Sequence, residues 1–281
     1  MEPQQEQIRD QQKQSWNKFS PGWQKWDDFN MRFLKPMGDA IIKNLQVKNG
    51  DHVLDIATGT GEPGLTIAAL TPNGTVTGTD LAEGMLSVAN ANALARSIAN
   101  YETRVADVSE LPFNNETFNG ISCRMGFMFF PDMQLAANQM YRVLVPGGRI
   151  AISVWASPEH NSWVTTIMSV IQKYIPTPPP VAGAPGMFRC AKPGLIAGLL
   201  EQAGFKGIIE EQITGVVDYG SFDNYWQMML EVAAPIVAAM VQADDETKEI
   251  IKQEVWEKFN AQNINGETKL TYASLIISAQ K

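Results

Sequence analysis

The sequence has little of what builds disulfide frameworks or membrane spans. Its 281 residues include two cysteines, Cys123 and Cys190, which are too far apart for a C-x-x-C site and too few for a disulfide scaffold. We therefore expect a reducing, cytoplasmic compartment. No stretch approaches the roughly 20 apolar residues of a membrane span. Residues 1–18 are polar and lack the apolar segment of a signal peptide.

The charge balance disfavours one class of partner. The chain has 22 basic against 30 acidic residues, a formal net charge of -8, and it contains no run of basic residues. Nucleic-acid binding depends on clustered positive charge, so DNA or RNA is not an expected partner. With 44% hydrophobic residues, the chain is long enough to bury a sizeable core in one domain or two.

The most informative stretch is residues 53–64, with the sequence Val-Leu-Asp-Ile-Ala-Thr-Gly-Thr-Gly-Glu-Pro-Gly. The apolar run predicts a strand, the glycines predict a tight turn, and Pro63 falls where a helix would begin. A strand, a glycine turn and a helix form the first unit of a nucleotide-binding α/β sheet. Gly59, Gly61 and Gly64 also satisfy the G-x-G-x-x-G spacing, a pattern that is weak alone.

Asp55, at the end of that strand, helps to decide which class of ligand the loop would bind. A pyrophosphate on the loop amides would be opposed by a nearby carboxylate. S-adenosylmethionine has no phosphate and carries an ammonium and a sulfonium, so an acidic strand end suits it. The simpler alternative is an ordinary strand-to-helix turn in which Asp55 is a capping residue.

Two segments carry a family resemblance. Residues 55–61 resemble the first motif of the class I S-adenosylmethionine-dependent methyltransferases, and residues 143–149 resemble a late structural motif of the same family. The resemblance is strongest from residue 50 to 155 and looks closest to the UbiE/COQ5-like (methyltransferase type 11) group. It implies an α/β fold with a Rossmann-like, seven-stranded, mostly parallel sheet, its last strand antiparallel. It also implies a lid of N-terminal helices and helical inserts, and S-adenosyl-L-methionine as cofactor.

The resemblance gives roles to individual residues, each with a structural alternative. Asp80 would accept hydrogen bonds from the ribose hydroxyls, or it merely caps the next helix. Asp107 would accept from the adenine amino group, because a carboxylate is an acceptor. Leu81 and Met85 would press on the adenine face, although a core methionine is a fair rival. Arg124 would pair with the methionine carboxylate, or it forms a surface salt bridge.

The complete set of cofactor-binding residues that the resemblance implies is Asp55, Ala57, Thr58, Gly59, Gly61, Asp80, Leu81, Met85, Asp107, Val108 and Arg124. No metal site is expected, and no catalytic residue is assigned. His52 begins the first strand, remote from its ligand end, so a structural role is expected. His160 is a weak candidate for a general base, with a capping or surface role favoured. Four further side chains are not placed by the sequence, namely Asp27, Asp28, Tyr141 and Tyr174.

Helices are expected before the sheet. Residues 4–19 predict a polar helix, and Ser20-Pro21 predicts the start of a second one. An aromatic cluster follows at near-helical spacing, formed by Trp23, Trp26, Phe29 and Phe33. It either packs these helices on the core or covers a hydrophobic acceptor as a lid.

The second half of the chain has a different pattern. Residues 176–186 are rich in proline and glycine, which predicts a surface loop or lid. A long helix is expected over residues 221–242 and a final strand over 269–279. We expect a helical cap at residues 1–45, a cofactor-binding core at 46–156, and a lid loop, helical inserts and the last two strands at 157–281.

These observations favour methyl transfer from S-adenosylmethionine to a small, hydrophobic or aromatic metabolite at oxygen, carbon or nitrogen. The expected partner is a small-molecule methyl acceptor, with no nucleic acid and no membrane span, and the oligomeric state is not indicated. Two alternatives stay open. One is an NAD(P)-dependent oxidoreductase, favoured only by the glycine spacing. The other is a protein that binds S-adenosylmethionine without transferring its methyl group.

Overall fold

The computed structural model describes residues 3–176, 183–264 and 267–281. The chain divides into two compact units, the first comprising Met1–Ala156, Pro185–Ile213 and Ser274–Lys281, and the second Ser157–Ala184 and Thr214–Ala273. The three-part division expected from the sequence stays a prediction. Among the described residues, no helix is both long and apolar enough to cross a bilayer.

A seven-stranded sheet forms the centre of the fold, in the order β3-β2-β1-β4-β5-β9-β6. The strands of the described chain are β1 (His52–Ile56), β2 (Thr75–Asp80), β3 (Tyr101–Val105), β4 (Phe118–Arg124), β5 (Leu144–Trp155), β6 (Lys206–Val217), the short pair β7 (Asn263–Ile264) and β8 (Glu267–Thr268), and β9 (Leu270–Gln280).

Strand direction confirms the fold class predicted from the sequence. β1 pairs in parallel with β2 and with β4, β2 with β3, and β4 with β5. β9 then runs antiparallel to β5. The strand order reverses between β1 and β4, and ligands of open α/β sheets bind at the carboxyl ends of the strands at such a point. The glycine loop that follows β1 therefore lies at the expected ligand edge.

Ten α-helices of the described residues accompany the sheet. Their bounds are α1 (Pro3–Lys25), α2 (Asp27–Leu45), α3 (Gly64–Leu70), α4 (Glu83–Ala95), α5 (Met133–Val143), α6 (Ser162–Tyr174), α7 (Leu195–Ala203), α8 (Phe222–Val232), α9 (Ala234–Met240) and α10 (Asp245–Asn260). In the first unit, α2, α3 and α4 bury apolar side chains against the sheet. That cluster includes Ile41, Leu65, Val53, Val76 and Ala89.

The predicted helix start at Ser20-Pro21 is wrong, because α1 continues through Pro21 to Lys25. A proline inside a helix leaves the carbonyl four residues earlier without its amide donor. Here that carbonyl belongs to Asn17, and the Ser20 hydroxyl donates to it at 2.9 Å. The serine thus replaces the missing donor, and the helix does not break.

The single helix predicted over residues 221–242 is also wrong, because two helices occupy this segment. α8 ends at Val232, Ala233 is extended with φ -96° and ψ 92°, and α9 begins at Ala234 with Pro235 in its first turn. A proline ring clashes with the preceding helical turn, and the first turn of a helix is where it costs least. Pro235 therefore requires the chain to leave the helix just before it.

The segment Pro146-Gly147-Gly148, part of the late motif named above, lies inside β5, which begins at Leu144. Phe118 of β4 pairs with Leu144, whereas Gly120 pairs with Arg149, so the extra residues form an irregularity in the register.

Two further expectations concern the cysteines and the proline-rich segment. Both cysteines are buried and free. The predicted proline-rich lid falls mainly on residues 177–182, which lie outside the described residues.

Candidate functional site

Asp55 holds the glycine loop in shape. Its side chain is fully buried at the end of β1. One carboxylate oxygen accepts from the Ser122 hydroxyl at 2.6 Å, and the other accepts from the Thr58 hydroxyl at 2.5 Å and the Gly64 amide at 3.2 Å. Burial raises the pKa of Asp55 to about 6, and the hydrogen bonds from Ser122 and Thr58 oppose that shift. Its two oxygens are thus engaged by Ser122, Thr58 and Gly64.

The loop itself is compact because two of its glycines have no room for a side chain. A Cβ on Gly61 would lie 2.7 Å from the Leu65 side chain, and its φ of +111° is one that side chains rarely adopt. A Cβ on Gly64 would lie 2.8 Å from the Asp55 carboxylate. The first residue of the loop, Ala57, also has a positive φ of 53°. The loop is therefore pressed closely against β1 and α3.

The amides of this loop already have acceptors. The Thr58 amide donates to the Thr79 carbonyl at 2.9 Å, and the Gly61 amide donates to the Thr58 carbonyl at 2.9 Å. The Gly59 amide donates to the Asp80 carboxylate at 3.1 Å. The Gly64 amide, as described, donates to Asp55. Loops that bind phosphate present free amides to the anion, and these four do not.

Asp80 ends β2, and its carboxylate holds the backbone that leads into α4. Its second oxygen accepts from the amide of Ala82, the residue just before α4, at 2.9 Å. Burial raises the pKa of Asp80, and its hydrogen bonds from the backbone oppose the shift. Each carboxylate oxygen has two lone pairs. Capacity remains to accept the hydroxyls of a ribose, so its predicted ligand role stays a prediction that the geometry allows.

The residues predicted around the adenine lie on neighbouring elements. Met85 is buried in α4 with an exposed fraction of 2%, whereas Leu81 is half-buried before that helix. Asp107 follows β3, and its carboxylate accepts from the Ser109 amide at 2.8 Å and lies 3.8 Å from the Arg9 guanidinium of α1. Val108 is buried beside it. Met85 thus has the burial of a core residue, and Asp107 keeps acceptor capacity.

Arg124 ends β4 and is largely enclosed. Burial lowers the pKa of its guanidinium, and the charges of Glu62 and Asp55 oppose that shift. Its recorded contact is weak, from the Nη2 atom to the Sδ atom of Met31 at 3.8 Å. Within the described residues it forms no salt bridge, so the alternative of a surface ion pair is not observed. An enclosed guanidinium without a carboxylate is suited to an anionic ligand group.

The aromatic side chains of α1 and α2 fall into two sets. Phe33 stacks on Trp155 at the end of β5, with ring centroids 5.7 Å apart, which is packing on the core. Trp16 contacts the edge of Trp23 at 6.1 Å and of Phe129 at 5.3 Å. Phe129 belongs to the short 3-10 turn after β4. This second set, Trp16, Trp23 and Phe129, is half-buried and is called the aromatic set below.

Sequence reasoning missed a group of polar atoms on the N-terminal helices. Four buried side-chain atoms there and on the loop have no hydrogen-bond partner among the described residues: Trp23 Nε1, Asp27 Oδ1, Asn30 Nδ2 and Thr60 Oγ1. Orphaned buried polar groups are rare and call for an unseen partner. One signal was present, since Asn30 interrupts the apolar face of α2 that Phe33, Leu34 and Met37 continue.

His52 is not part of this constellation, and the candidacy of His160 as a general base stays a prediction. His52 is exposed at the opposite end of β1, beside the Thr75 hydroxyl at 2.8 Å. His160 is exposed in a short turn of the second unit, with the Ser157 hydroxyl 3.2 Å from its Nδ1 atom. No cluster of potential metal ligands occurs among the described residues. The residues near the glycine loop suit a ligand made of a nucleoside and an amino acid. They provide acidic hydrogen-bond acceptors, an enclosed guanidinium and polar atoms without partners in the described structure.

The sequence is similar to those of known methyltransferases. Residues 53–148 match a family described as a methyltransferase domain. Demethylmenaquinone methyltransferase of Thermus thermophilus is 34% identical over 127 residues, 44% of this chain and 56% of that protein. The ubiquinone/menaquinone biosynthesis C-methyltransferase UbiE of Geotalea daltonii is 34% identical over 119 residues, 42% of this chain and 51% of the relative. The chain spans about half the length of these curated relatives.

A solved structure supports the fold. A proposed methyltransferase of Bacillus halodurans C-125 superimposes with a TM-score of 0.57 at 21% identity, covering 87% of this chain and 98% of its own. Fold, loop and relatives together support a class I S-adenosylmethionine-dependent methyltransferase domain that includes residues 53–148, with S-adenosylmethionine as its cofactor. Within that class, the part of the chain that aligns is similar to the relatives of the UbiE-like group.

Proposed function

We propose that the protein transfers the methyl group of S-adenosylmethionine to a small hydrophobic or aromatic acceptor. The observation that carries this proposal is the state of the glycine loop. Its amides are hydrogen-bonded to Asp55, Asp80 and loop carbonyls, and a buried carboxylate lies beneath it. Such a loop opposes a pyrophosphate and tolerates a cation. The oxidoreductase alternative is therefore disfavoured.

The chain's own residues account for donor binding. Asp80 accepts from the ribose hydroxyls with the lone pairs that Gly59 and Ala82 leave free. Asp107 accepts from the adenine amino group, and Arg124 pairs with the carboxylate of the donor's amino-acid portion. When bound, S-adenosylmethionine supplies a methyl group on a sulfonium, which is already a good leaving group. The protein then has mainly to align the acceptor and exclude water.

An aromatic acceptor is supported by the aromatic set and by the relatives. Trp16, Trp23 and Phe129 present half-buried rings near the carboxyl end of β4. Flat apolar molecules stack well on such rings. One of the two relatives described above is named for methylation of demethylmenaquinone, and the other for a methyltransferase of ubiquinone and menaquinone biosynthesis. We therefore place phenols and hydroquinones first among the acceptor classes, with no catalytic base assigned.

Calorimetric titration with S-adenosylhomocysteine and with NAD tests the donor half of the proposal. Saturable binding of S-adenosylhomocysteine without binding of NAD is expected, and the reverse would contradict the proposal. Transfer of labelled methyl to a panel of phenols, hydroquinones and amines tests the acceptor half. Tight binding of S-adenosylmethionine without transfer to any compound or cell extract would instead support a role that retains the cofactor.

A further inference from the structure

Asp27 is a carboxylate that the proposed donor contacts leave unused. It lies in the first turn of α2, and its Oδ2 atom accepts from the Asn92 side chain at 3.1 Å. Its Oδ1 atom is buried without a hydrogen-bond partner, and no cation forms a salt bridge with it in the described part of the chain. A buried charge without a partner is costly. The Oδ1 atom is thus the oxygen of Asp27 that is available to a cationic group of a ligand.

The surroundings tie Asp27 to the glycine loop. The amide of Asn92 donates to Asp27 and also to the Thr60 carbonyl at 2.9 Å. The Thr60 hydroxyl lies beside the same carboxylate without a hydrogen bond of normal geometry, and Thr60 is 3% exposed. Burial raises the pKa of Asp27, and the polar groups of Thr60 and Asn92 oppose that shift. The Asp27 carboxylate therefore lies beside the glycine loop, joined to it through Asn92.

Arg124 contacts the same face of α2. It reaches Met31, which follows Asp27 by four residues and so lies one helical turn further along. Asn30, which is 2% exposed and has an unpartnered Nδ2 atom, lies on this face as well. A carboxylate and a guanidinium about one turn apart are matched in sign to the two charges of an α-amino acid.

Resting on the proposed function, we infer that Asp27 binds the α-ammonium of the methyl donor while Arg124 binds its carboxylate. Asn92 then acts as a positioning residue, because it fixes Asp27 against the loop. Asp27 of α2 and Arg124 would bind the amino-acid portion of the donor, and Asp80 and Asp107 would bind the nucleoside portion. Methyl-donor recognition would in this way depend on the N-terminal helices as well as on the glycine loop.

The test is calorimetric titration of the full chain carrying Asp27→Asn, with Asp28→Asn as the matched control. The first substitution keeps an acceptor for Asn92 and removes the charge, whereas Asp28 occupies the neighbouring position outside the proposed contact. The probes are S-adenosylhomocysteine, its analogue without the amino group, and 5′-methylthioadenosine, which lacks the amino-acid portion. Loss of a charged hydrogen bond predicts about 10- to 100-fold weaker binding of S-adenosylhomocysteine by D27N.

The same substitution is expected to leave both other probes within about twofold of their wild-type affinities, and D28N is expected to leave all three unchanged. Unchanged S-adenosylhomocysteine binding by D27N would overturn the assignment of Asp27, as would equal weakening of all three probes. Wild-type protein that binds none of the three would overturn the proposed function itself. Reduced turnover with unaltered binding would indicate a general base, which also contradicts the inference.

Discussion

The hydroxyl of Ser122, on β4, donates a 2.6 Å hydrogen bond to the carboxylate of Asp55 on the neighbouring β1. Asp55 in turn holds Thr58 and Gly64, so one buried carboxylate joins two central strands to the whole glycine loop. The loop is therefore held from beneath by this network. The energetic consequence is a stability that depends on pH.

Asp55→Asn is expected to remove that dependence. The folded-state pKa of Asp55 is about 6, against roughly 3.9 in an unfolded chain. Between these values the unfolded chain releases the proton while the folded chain keeps it. The free energy of unfolding of the wild type, relative to D55N, should therefore fall by about 2 kcal/mol as pH rises from 4 to 6, fall by about 0.4 kcal/mol more up to pH 7, and stay constant above.

Urea denaturation of both proteins at pH 4, 5, 6 and 7 measures this difference directly. Groups that titrate alike in the two proteins cancel in the comparison. A difference that increases with pH would show that the native network favours the ionised carboxylate, contrary to the effect of burial.

Asp80→Asn tests the nucleoside side of the site. The variant keeps an acceptor for the Gly59 amide but halves the acceptor capacity that the ribose hydroxyls need. We expect about tenfold or greater weakening for S-adenosylhomocysteine and for 5′-methylthioadenosine alike, since both contain ribose. Calorimetry with the two ligands gives the result. Weakening of only one of them would argue against a ribose contact.

Much of this site follows from the sequence because its signals are local. A glycine spacing, an acid at the end of β2 and an acid after β3 each lie at strand ends, and parallel strands bring these ends together. The proposed roles of Asp27 and Asn92, by contrast, depend on a contact between distant parts of the sequence. They are 65 residues apart in the chain, and no periodicity or spacing predicts that α2 will meet α4 over the loop.

Helix boundaries are also only partly predictable from the sequence. Proline is a reliable break signal only when the local hydrogen bonds are left unsatisfied. Pro235 breaks its segment, whereas at Pro21 the neighbouring serine supplies the missing donor. Recognising that exchange requires the side-chain geometry of Ser20, which the sequence pattern does not contain.

Arg124→Met is expected to separate stability from binding. The guanidinium is desolvated and has only the Met31 sulfur as a recorded hydrogen-bond partner in the described structure. An apolar side chain of similar length removes the cost of burying that charge, so the thermal midpoint of the ligand-free protein should stay equal or rise. Binding of S-adenosylhomocysteine should weaken about tenfold or more, because its carboxylate loses a charged donor.

For that variant, 5′-methylthioadenosine is the internal control, and its affinity should not change. Arg124→Lys keeps the charge but not the paired geometry of the guanidinium, so it should recover part of the loss. A large fall in the thermal midpoint of R124M would show instead that the arginine stabilises the ligand-free fold.

Ser20 and Pro21 give a prediction about the N-terminal helix that does not depend on any ligand. In the wild type, the Ser20 hydroxyl is the recorded hydrogen-bond donor to the Asn17 carbonyl, so Ser20→Ala should cost about 1 kcal/mol of unfolding free energy. Pro21→Ala restores a backbone amide that can donate to the same carbonyl, and it should stabilise the protein. In the P21A background, S20A should then cost much less. A double-mutant cycle by urea denaturation measures this coupling, and equal costs of S20A in both backgrounds would show that the serine does not replace the donor that Pro21 lacks.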